Sequence, residues 1–243
     1  MNTIILQRQR IIIEGIVQGV GFRPFIYQLA GRFGLAGSVC NDSRGVTIEV
    51  EGEASVLPRF IAAISSEKPP LSVIQSVVAQ TLPVQGTAEF KILQSSQDQN
   101  RRAQISPDTF VCDDCLQELF DSNDRRFRYP FINCTNCGPR YTIVTGIPYD
   151  RALTTMADFP LCDDCRAEYD DPASRRFHAQ PNACPVCGPQ LQLLDAEGRS
   201  MAVDDPLSEA LRRLREGQIL AIKGLGGYHL AVDAGSQQAV LEL

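Results

Sequence analysis

Eight of the nine cysteines of this 243-residue sequence fall into four Cys-x-x-Cys pairs. In a tight turn such a pair presents two thiolates to one Zn²⁺, and a second pair completes a tetrahedral site. The first two pairs are separated by eighteen residues, and so are the last two. The spacing predicts two zinc ions, each with four sulfur ligands: Cys112, Cys115, Cys134 and Cys137 for one, and Cys162, Cys165, Cys184 and Cys187 for the other.

Both zinc ions are predicted to be structural rather than catalytic, because four sulfur ligands leave no open coordination position for water. The competing interpretation, free redox thiols, would need the same spacing to arise twice by accident. His178 is a further candidate ligand, but it is redundant beside four cysteines. An ordinary surface or loop histidine is the better interpretation of His178.

An internal repeat with a period of fifty residues runs through the cysteine region. Three tripeptides recur at this offset: Asp-Asp-Cys at 113–115 and 163–165, Arg-Arg-Phe at 125–127 and 175–177, and Cys-Gly-Pro at 137–139 and 187–189. An interleaved arrangement, in which the first and fourth cysteine pairs share one metal, costs only about 1 kcal/mol more in loop closure. The repeat favours sequential pairing, because a duplicated unit should keep its own ligands in both copies.

A glycine-rich stretch, Gly15-Ile-Val-Gln-Gly-Val-Gly-Phe-Arg23, could bind a small anion. Glycines allow backbone N–H groups to converge, and a following helix N-terminus adds a favourable dipole. Arg23 offers paired N–H donors to phosphate oxygens. The stretch is neither a Walker A loop nor a Rossmann fingerprint. It predicts either a glycine-rich turn beside a surface arginine or an anion-binding loop comprising Gln18, Gly19, Val20, Gly21, Phe22 and Arg23.

The elements that must position this loop lie in the first 95 residues, where strand-like and helix-like patterns alternate. Strands are predicted at 9–17, 37–41, 46–51, 73–80 and 90–93, and helices at 22–33 and 56–64. Pro58 is tolerable because it lies in the first turn of the second helix. The order β-α-β-β-α-β with a closing strand predicts an α+β, ferredoxin-like sandwich.

The rest of the chain indicates two further domains. Residues 94–104 are polar and read as a linker. We expect domains at 1–95, at 96–200 with zinc fingers at 112–137 and 162–187, and at 201–243. The last of these predicts a helix from Pro206 that ends at Gly217 and a buried-type strand at 219–222. It is too short to own a core, so we expect it to begin a domain that this chain does not complete.

Composition argues against several classes of protein. The chain is 44% hydrophobic and 21% charged, and no apolar run approaches the roughly 20 residues that span a bilayer. The first ten residues contain no secretory cleavage site, and paired cysteines suit a reducing compartment, so a cytoplasmic protein with no membrane partner is expected. Residues 101–190 hold ten arginines, no lysine and thirteen acidic residues, which argues against a nucleic-acid partner.

The glycine-rich stretch resembles the signature of the acylphosphatase family, and Gly37-Ser-Val-Cys-Asn41 resembles that family's second motif. The resemblance covers residues 9–95. It implies that Arg23 grips the phosphate group and that Asn41 orients the attacking water. No metal is needed, because an acyl phosphate is already activated and the site need only fix geometry and stabilise charge. Cys40 is interpreted as a buried strand residue rather than a nucleophile.

A wider resemblance includes the cysteine repeat, Phe22-Arg23-Pro24, Tyr129-Pro-Phe-Ile-Asn-Cys134 and Phe177-His-Ala-Gln-Pro181. Together these are similar to the hydrogenase-maturation carbamoyltransferases of the HypF type. In that family a YrdC-like domain and a Kae1-like domain follow. The resemblance implies that the zinc module is a rigid joint between sites whose fold depends on two structural zinc ions.

The same resemblance implies a reaction sequence. Carbamoyl phosphate is hydrolysed at the N-terminal domain, and the YrdC-like domain uses carbamate and ATP to form a carbamoyl adenylate. The Kae1-like domain then transfers the carbamoyl group to the C-terminal cysteine of a partner maturation protein of the HypE type, as the precursor of hydrogenase cyanide ligands. Only the first of these sites is expected to be complete in this chain.

The segment Lys223-Gly-Leu-Gly-Gly-Tyr-His-Leu230 resembles the opening of the YrdC-like α/β domain, although it departs from the usual Pro-Thr-x-Thr version. The resemblance implies nucleotide or carbamate contacts from Lys223, Gly224, Gly226, Gly227, Tyr228 and His229. ATP is expected to bind only with the missing part of that domain. A plain tight turn is the alternative.

A second function class is also open. The zinc module could be a protein- or nucleic-acid-binding unit, with the N-terminal domain a non-catalytic anion sensor. The acidic charge argues against nucleic acid, and Arg23 together with Asn41 argues against a mere sensor.

Overall fold

The computed structural model of the protein describes residues 5–95, 103–224 and 227–243. The chain forms two compact units, Met1–Gly188 and Pro189–Leu243. Most of the predicted linker, positions 96–102, lies outside the described residues. The proposed domain boundaries at residues 95 and 200 stay predictions.

Five strands and two helices form the sandwich of the first unit. They are β1 (Leu6–Ile16), α1 (Phe22–Arg32), β2 (Ala36–Asn41), β3 (Gly45–Glu53), α2 (Leu57–Ser66), β4 (Val73–Leu82) and β5 (Phe90–Ile92). The sheet order is β4-β1-β3-β2-β5, with β5 parallel to β2 and the other pairs antiparallel. This is the predicted β-α-β-β-α-β order with a closing strand, and the α+β prediction is confirmed.

The apolar core of the sandwich lies between the sheet and its helices. Ile11 and Ile13 alternate with more exposed neighbours along β1, as expected for a strand with one buried face. Ile26 of α1 and Phe60 of α2 are fully buried in the same cluster. All fully buried members of this cluster come from residues 11–64. The buried core of the sandwich therefore contains no residue of the cysteine region.

The sheet topology brings the two predicted motifs together. Strands β1 and β2 each pair antiparallel with β3, so they run in the same direction and end at the same edge. The glycine-rich loop follows β1, and Asn41 is the last residue of β2.

The turn after Asn41 is fixed by Asp42, which accepts hydrogen bonds from Gly45 N–H at 2.9 Å and Thr47 Oγ1 at 2.6 Å. Burial raises the pKa of Asp42, but the hydrogen bonds from Thr47 and from the Arg44 and Gly45 amides outweigh it and hold the pKa below its usual value.

Short helices and turns, rather than a sheet, build the cysteine region. Helices α3 (Asp113–Phe120) and α4 (Asp163–Asp170) lie fifty residues apart, in keeping with the sequence repeat. Cys112 is the N-cap residue of α3 and Cys162 that of α4, so the second cysteine of each pair lies in the first helical turn. Two short 3-10 helices, Arg151–Leu153 and Thr155–Asp158, lie between the repeats.

The second unit contains α5 (Pro206–Arg215), β6 (Leu220–Lys223), β7 (Tyr228–Ala231) and α6 (Gln237–Glu242). Asp205 caps α5, and Pro206 fits its first position. The predicted helix and strand are present, but the prediction of a buried strand is wrong, since Ile222 is 51% exposed. A two-stranded ribbon carries too little apolar surface to bury both faces, which accounts for the difference.

Candidate functional site

The glycine-rich loop forms a cradle of backbone donors at the edge where β1 and β2 end. Gly19 and Gly21 both have a φ of 73°, in the left-handed region that favours glycine. The N–H groups of Val20 and Gly21 donate no backbone hydrogen bond to any residue that the structure describes. Gly21 is also the N-cap of α1, whose first N–H groups lack intrahelical acceptors. Such a cradle can hold a small anion such as phosphate.

Gln18 fixes this loop against its surroundings. Its Nε2 donates to the carbonyl oxygens of Asp42 at 2.8 Å and Gly45 at 2.7 Å, which ties the loop to the turn between β2 and β3. Its Oε1 accepts a hydrogen bond from the N–H of Tyr149 at 2.8 Å. Because Gln18 is 1% exposed, these contacts hold the loop in one conformation.

Arg23 and Asn41 meet at one backbone carbonyl. Arg23 Nη2 lies 3.5 Å from the Tyr149 carbonyl oxygen and 2.9 Å from Oδ1 of Asp150. Asn41 Nδ2 donates to the same Tyr149 oxygen at 3.3 Å. The structure therefore brings together the two residues that the sequence selected from separate motifs.

The other amide atom of Asn41 is a buried hydrogen-bond acceptor. Asn41 is 1% exposed, and its Oδ1 has no hydrogen-bond partner among the described residues. A buried acceptor without a donor is costly, so a donor such as a water molecule is expected to complete the site at this atom.

The cysteine region closes the site from the other side. Arg140 is 1% exposed; its Nε donates to the Gly19 carbonyl and its Nη2 to the Cys134 carbonyl at 2.8 Å. Thr135 packs against Gly21, where an added Cβ would come within 3.2 Å of the Thr135 Cβ. A small, partly open cavity lies between the loop and these walls.

His178 also lines this cavity. It has a φ of 52°, and its ring packs against Tyr169 with a centroid distance of 4.9 Å. It belongs to neither cysteine cluster and is a loop histidine, as expected, although it is half-buried rather than on the surface. Burial, followed by the charge of Arg23, lowers the pKa of His178 to about 4, so its imidazole is neutral at pH 7.

Cys40 lies on β2 opposite Thr47 and is half-buried. Burial, followed by the nearby Asp42 carboxylate, raises the pKa of the Cys40 thiol. A thiol that is harder to deprotonate is a poorer nucleophile, in keeping with its interpretation as a strand residue.

The other eight cysteines form two compact clusters in the sequential grouping: Cys112, Cys115, Cys134 and Cys137 in one, and Cys162, Cys165, Cys184 and Cys187 in the other. Within each cluster the sulfur atoms all lie within 4.8 Å of one another. Neighbouring Sγ atoms are 3.7 Å apart between Cys112 and Cys134 and 3.6 Å apart between Cys165 and Cys187. Tetrahedral zinc with bonds of about 2.3 Å needs a separation of about 3.8 Å, so both clusters fit zinc.

Each repeat supplies arginines to the other repeat. Arg126 of the first repeat donates to both carboxylate oxygens of Glu168, at 2.8 and 2.6 Å. Arg176 of the second repeat makes the corresponding pair of contacts with Glu118.

The neighbouring arginines reach the thiolates. Nη2 of Arg125 lies 3.2 Å from Cys165 Sγ, and Nη1 of Arg175 lies 3.5 Å from Cys115 Sγ. These positive charges offset the negative charge of a zinc ion with four thiolates. Burial raises the pKa of Glu168, but Arg126 and Arg125 outweigh it and lower the pKa to about 2. The sequence repeat identified the two Arg-Arg pairs, but it did not predict that the arginines of each repeat contact the glutamate and cysteine of the other repeat.

The predicted nucleotide or carbamate segment of the second unit is a tight hairpin. Lys223 pairs with Tyr228 across the ribbon, and the N–H of Gly224 donates to the Gly227 carbonyl at 2.7 Å. His229 packs beside Gly224. Gly226 lies outside the described residues. The binding role of this segment stays a prediction.

Comparisons with known proteins agree with the architecture of the first unit. Residues 9–92 match the acylphosphatase family, and residues 111–144 and 161–194 each match the HypF finger. The acylphosphatase of Thermotoga maritima is 38% identical over 84 residues, which are 34% of this chain and 92% of that protein. Among the described residues, none forms a helix long and apolar enough to span a bilayer.

Longer proteins match nearly the whole chain. Carbamoyltransferase HypF2 of Cupriavidus necator is 55% identical over 238 residues, which are 97% of this chain and 30% of that protein. The crystal structure of full-length HypF in the phosphate- and nucleotide-bound form matches with a TM-score of 0.90 and 48% identity, over 99% of this chain and 31% of that one. The chain therefore spans about 30% of the length of these relatives. The predicted succession of an acylphosphatase-like sandwich and zinc fingers is confirmed.

Proposed function

Since the chain belongs to the acylphosphatase family through residues 9–92 and to the HypF carbamoyltransferases along its length, we propose that it hydrolyses carbamoyl phosphate. One observation carries the proposal. Gly19 and Gly21 of the loop, Arg23, and Asn41, whose Oδ1 has no partner among the described residues, all line one small cavity.

The donors of the loop suit the phosphate group of the substrate. The N–H groups of Val20 and Gly21 and the guanidinium of Arg23 offer hydrogen bonds to the phosphate oxygens and stabilise the charge that develops in the transition state. The N–H groups at the start of α1 add to this effect. Gln18 holds the loop in place, so little reorganisation is needed when the substrate binds.

Asn41 is suited to holding the attacking water. A water molecule that donates to Asn41 Oδ1 would lie beside the phosphate, with its oxygen free to attack phosphorus. As that bond forms, the bond between phosphorus and the carbamoyl oxygen breaks, and carbamate leaves with the electron pair. The proton of the water passes to phosphate. Since carbamate is a stable leaving group, orientation and charge stabilisation suffice without a strong base.

The zinc module supports the site structurally in this proposal. Each cluster has four sulfur ligands and no open position, so zinc would stabilise the fold of the module rather than activate water. Arg140 links the first cluster to the loop, because it donates hydrogen bonds to the carbonyl oxygens of both Cys134 and Gly19.

The later steps belong to the part of the HypF relatives that this chain does not cover. There, carbamate and ATP would give a carbamoyl adenylate, and the carbamoyl group would pass to the C-terminal cysteine of a HypE-type partner protein. We propose that this chain supplies the carbamate for that sequence. The hairpin at Lys223–His229 would contribute to the nucleotide or carbamate site only in the longer protein.

The proposal is tested by phosphate release from carbamoyl phosphate. The zinc-loaded chain of 243 residues should release phosphate well above the spontaneous rate. Phosphate release at the spontaneous rate from a folded, zinc-loaded chain would favour the second function class, an anion-sensing domain joined to a zinc-dependent binding module.

A further inference from the structure

Two residues outside the sandwich lie against the proposed catalytic residues: Tyr149 contacts both of them, and Asp150 contacts Arg23. The Tyr149 carbonyl oxygen is 3.3 Å from Asn41 Nδ2 and 3.5 Å from Arg23 Nη2. The Asp150 carboxylate is 2.9 Å from the same Arg23 nitrogen. The side chains of this ion pair are only 9% and 26% exposed, and Arg23 and Tyr149 both line the cavity.

Contacts on both sides hold this segment rigidly. The Tyr149 N–H donates to Gln18 Oε1 at 2.8 Å, and its ring is 1% exposed beside Gly19. The next residue, Arg151, donates to the carbonyls of Gln180 at 2.6 Å and Asn182 at 2.9 Å. The positions of the Tyr149 carbonyl and the Asp150 carboxylate are therefore set before any substrate binds.

The hydrogen-bonding character of this wall is opposite to that of the loop. Phosphate accepts hydrogen bonds, and the loop and Arg23 supply donors for it. A backbone carbonyl such as that of Tyr149 and a carboxylate such as that of Asp150 only accept hydrogen bonds. The ion pair with Arg23 uses one oxygen of the Asp150 carboxylate. A substrate that places a donor beside its phosphate can pair with the remaining acceptor sites, whereas a methyl group cannot.

We propose that Asp150 and the Tyr149 carbonyl select carbamoyl phosphate over other acyl phosphates by accepting hydrogen bonds from its NH₂ group. This inference rests on the proposed function and deepens it by assigning the specificity of the site to the cysteine region. Acetyl phosphate has nearly the same size and the same phosphate group, but it carries a methyl group at the position of the NH₂. Sites built to pair a substrate N–H reject an analogue that lacks it.

Asp150 does not need to leave Arg23 for the phosphate to bind. The guanidinium has five N–H donors. Its Nη2 contacts the Tyr149–Asp150 wall, and among the described residues Nη1 has only a long contact of 3.5 Å to Ser95 Oγ. The remaining donors can turn to phosphate while Asp150 holds the opposite side of the fork. Asp150 is thus both a specificity-determining residue and a positioning residue for Arg23.

The test compares kcat/KM for carbamoyl phosphate and acetyl phosphate in the full chain. We expect the wild-type chain to prefer carbamoyl phosphate by at least about tenfold. Asp150→Ala should lower kcat/KM for carbamoyl phosphate by about 10- to 100-fold, because a hydrogen bond to a charged group is lost. The loss with acetyl phosphate should be at least tenfold smaller. Asp150→Asn keeps the size of the side chain and one acceptor oxygen. Its ratio of kcat/KM for carbamoyl phosphate to kcat/KM for acetyl phosphate should therefore lie between the ratios of the wild-type chain and of Asp150→Ala.

Asp158→Ala is the matched control, since Asp158 is an exposed carboxylate on the following 3-10 helix. Its substrate ratio should equal that of the wild-type chain, and circular dichroism and zinc content should be the same in all variants. An equal loss with both substrates in the Asp150 variants would show that Asp150 only positions Arg23. A gain with both would show that it merely obstructs the site. Either result overturns the inference.

The wild-type chain separates this inference from the proposed function. Equal kcat/KM values for the two substrates would refute the specificity inference and leave the hydrolase proposal intact. Phosphate release from neither substrate would refute the hydrolase proposal itself.

Discussion

The sandwich and the cysteine region of the first unit are held together by different forces. The core of the sandwich is an apolar cluster in which Ile11, Ile26 and Phe60 are fully buried. The cysteine region instead buries thiols and charged side chains, among them Arg126 at 1% and Arg176 at 4% exposure. Apolar burial is spread over many contacts, whereas the second region depends on a few ligands and ion pairs.

This difference teaches how the site divides its tasks. In the proposed site, the sandwich supplies Arg23 and Asn41, and its buried apolar cluster comes from residues 11–64. The cysteine region supplies the wall formed by Tyr149 and Asp150. The wall carries the contacts that distinguish one acyl phosphate from another. Removing zinc should therefore separate the two regions, and point substitutions should separate catalysis from selectivity.

Removing zinc has the largest expected effect. A strong chelator under reducing conditions should unfold residues 112–187 and leave the sandwich folded, because binding of a structural zinc contributes about 10–16 kcal/mol to the folding of small zinc modules. Hydrogen exchange followed by mass spectrometry should show loss of protection in α3 and α4 and retained protection in β1 and β3. Loss of protection in the sandwich at the same chelator concentration would show that the two regions fold as one.

The Arg23→Ala substitution should abolish activity without unfolding the chain. Loss of one preorganised donor to a transition-state charge costs about 3–4 kcal/mol, so kcat/KM for carbamoyl phosphate should fall by at least 100-fold. Phosphate release by the purified variant measures this. Arg23 contributes no side chain to the apolar cluster, so the unfolding midpoint should change little.

Arg32→Ala is the matched control for this substitution. Arg32 lies on the same helix and is 58% exposed in its ion pair with Glu67, so activity should be retained. Near-normal turnover by a folded Arg23→Ala variant would remove the basis of the catalytic assignment. Asn41→Ala sharpens the comparison, since it should lower kcat more than it raises KM if Asn41 holds the attacking water.

The sequence predicted those features that follow from local patterns. Periodic apolar residues gave the strands and helices of the sandwich, and two Cys-x-x-Cys pairs per repeat gave the metal clusters. Arg23 and Asn41 were identified because each lies in a compact motif. In each case the residues are close in sequence, or their spacing is set by one ligand geometry.

The wall of the site could not be predicted in this way. Tyr149 and Asp150 reach the loop and Arg23 from about 130 residues away, and neither lies in a motif. One difference between the two repeats could have indicated this wall. At an offset of fifty residues, Arg140 is replaced by glutamine and Asp150 by serine, so the copies differ at the positions that face the site. Contacts between distant segments depend on tertiary packing, which local patterns do not encode.

Emptying one zinc cluster should weaken the other. In the Cys112→Ser/Cys115→Ser chain the first cluster should lose its ion, and the segment 112–137 should loosen. The second cluster should still bind zinc, but with an affinity about 10- to 100-fold lower, because Arg125 and Arg126 would no longer be held against Cys165 and Glu168. Zinc analysis and competition with a chromophoric chelator would measure both effects.

Two single substitutions test the same coupling without removing a cysteine. Glu118→Gln and Glu168→Gln each remove one side of the crossed pairing while keeping all cysteines, and each should lower zinc affinity. An unchanged affinity at the second cluster in the double-serine chain would show that the two sites are independent. Loss of protection at 184–187 but not at 134–137 would instead refute the sequential grouping.

The first 95 residues should fold and hydrolyse acyl phosphates alone. Their core cluster contains no buried residue from the cysteine region, and both proposed catalytic residues lie within them. Without Tyr149 and Asp150, however, the preference for carbamoyl over acetyl phosphate should fall by about tenfold or more. Expression of residues 1–95, with circular dichroism and both substrates, tests this. A folded fragment with undiminished preference would place the specificity inside the sandwich.

The smallest expected effect is the contribution of His178 to the pH dependence of the free energy of unfolding. Its pKa in the folded chain is lowered to about 4 by burial and by Arg23, whereas the usual value is 6.5. Between these values the unfolded chain binds a proton that the folded chain does not, so the free energy of unfolding rises with pH. The contribution of the neutral imidazole is therefore fully present above pH 6.5 and is lost as the pH falls to about 4.

Urea unfolding at saturating zinc, repeated between pH 4 and 6.5, measures how the free energy of unfolding depends on pH. Because Gln does not titrate, a His178→Gln chain should show a smaller rise of this free energy with pH than the wild-type chain. His229→Gln, which removes the other of the two histidines at an exposed position, should keep the wild-type rise. Parallel slopes for the wild-type and His178→Gln chains would show that the junction between the sandwich and the cysteine region does not bury His178 in solution.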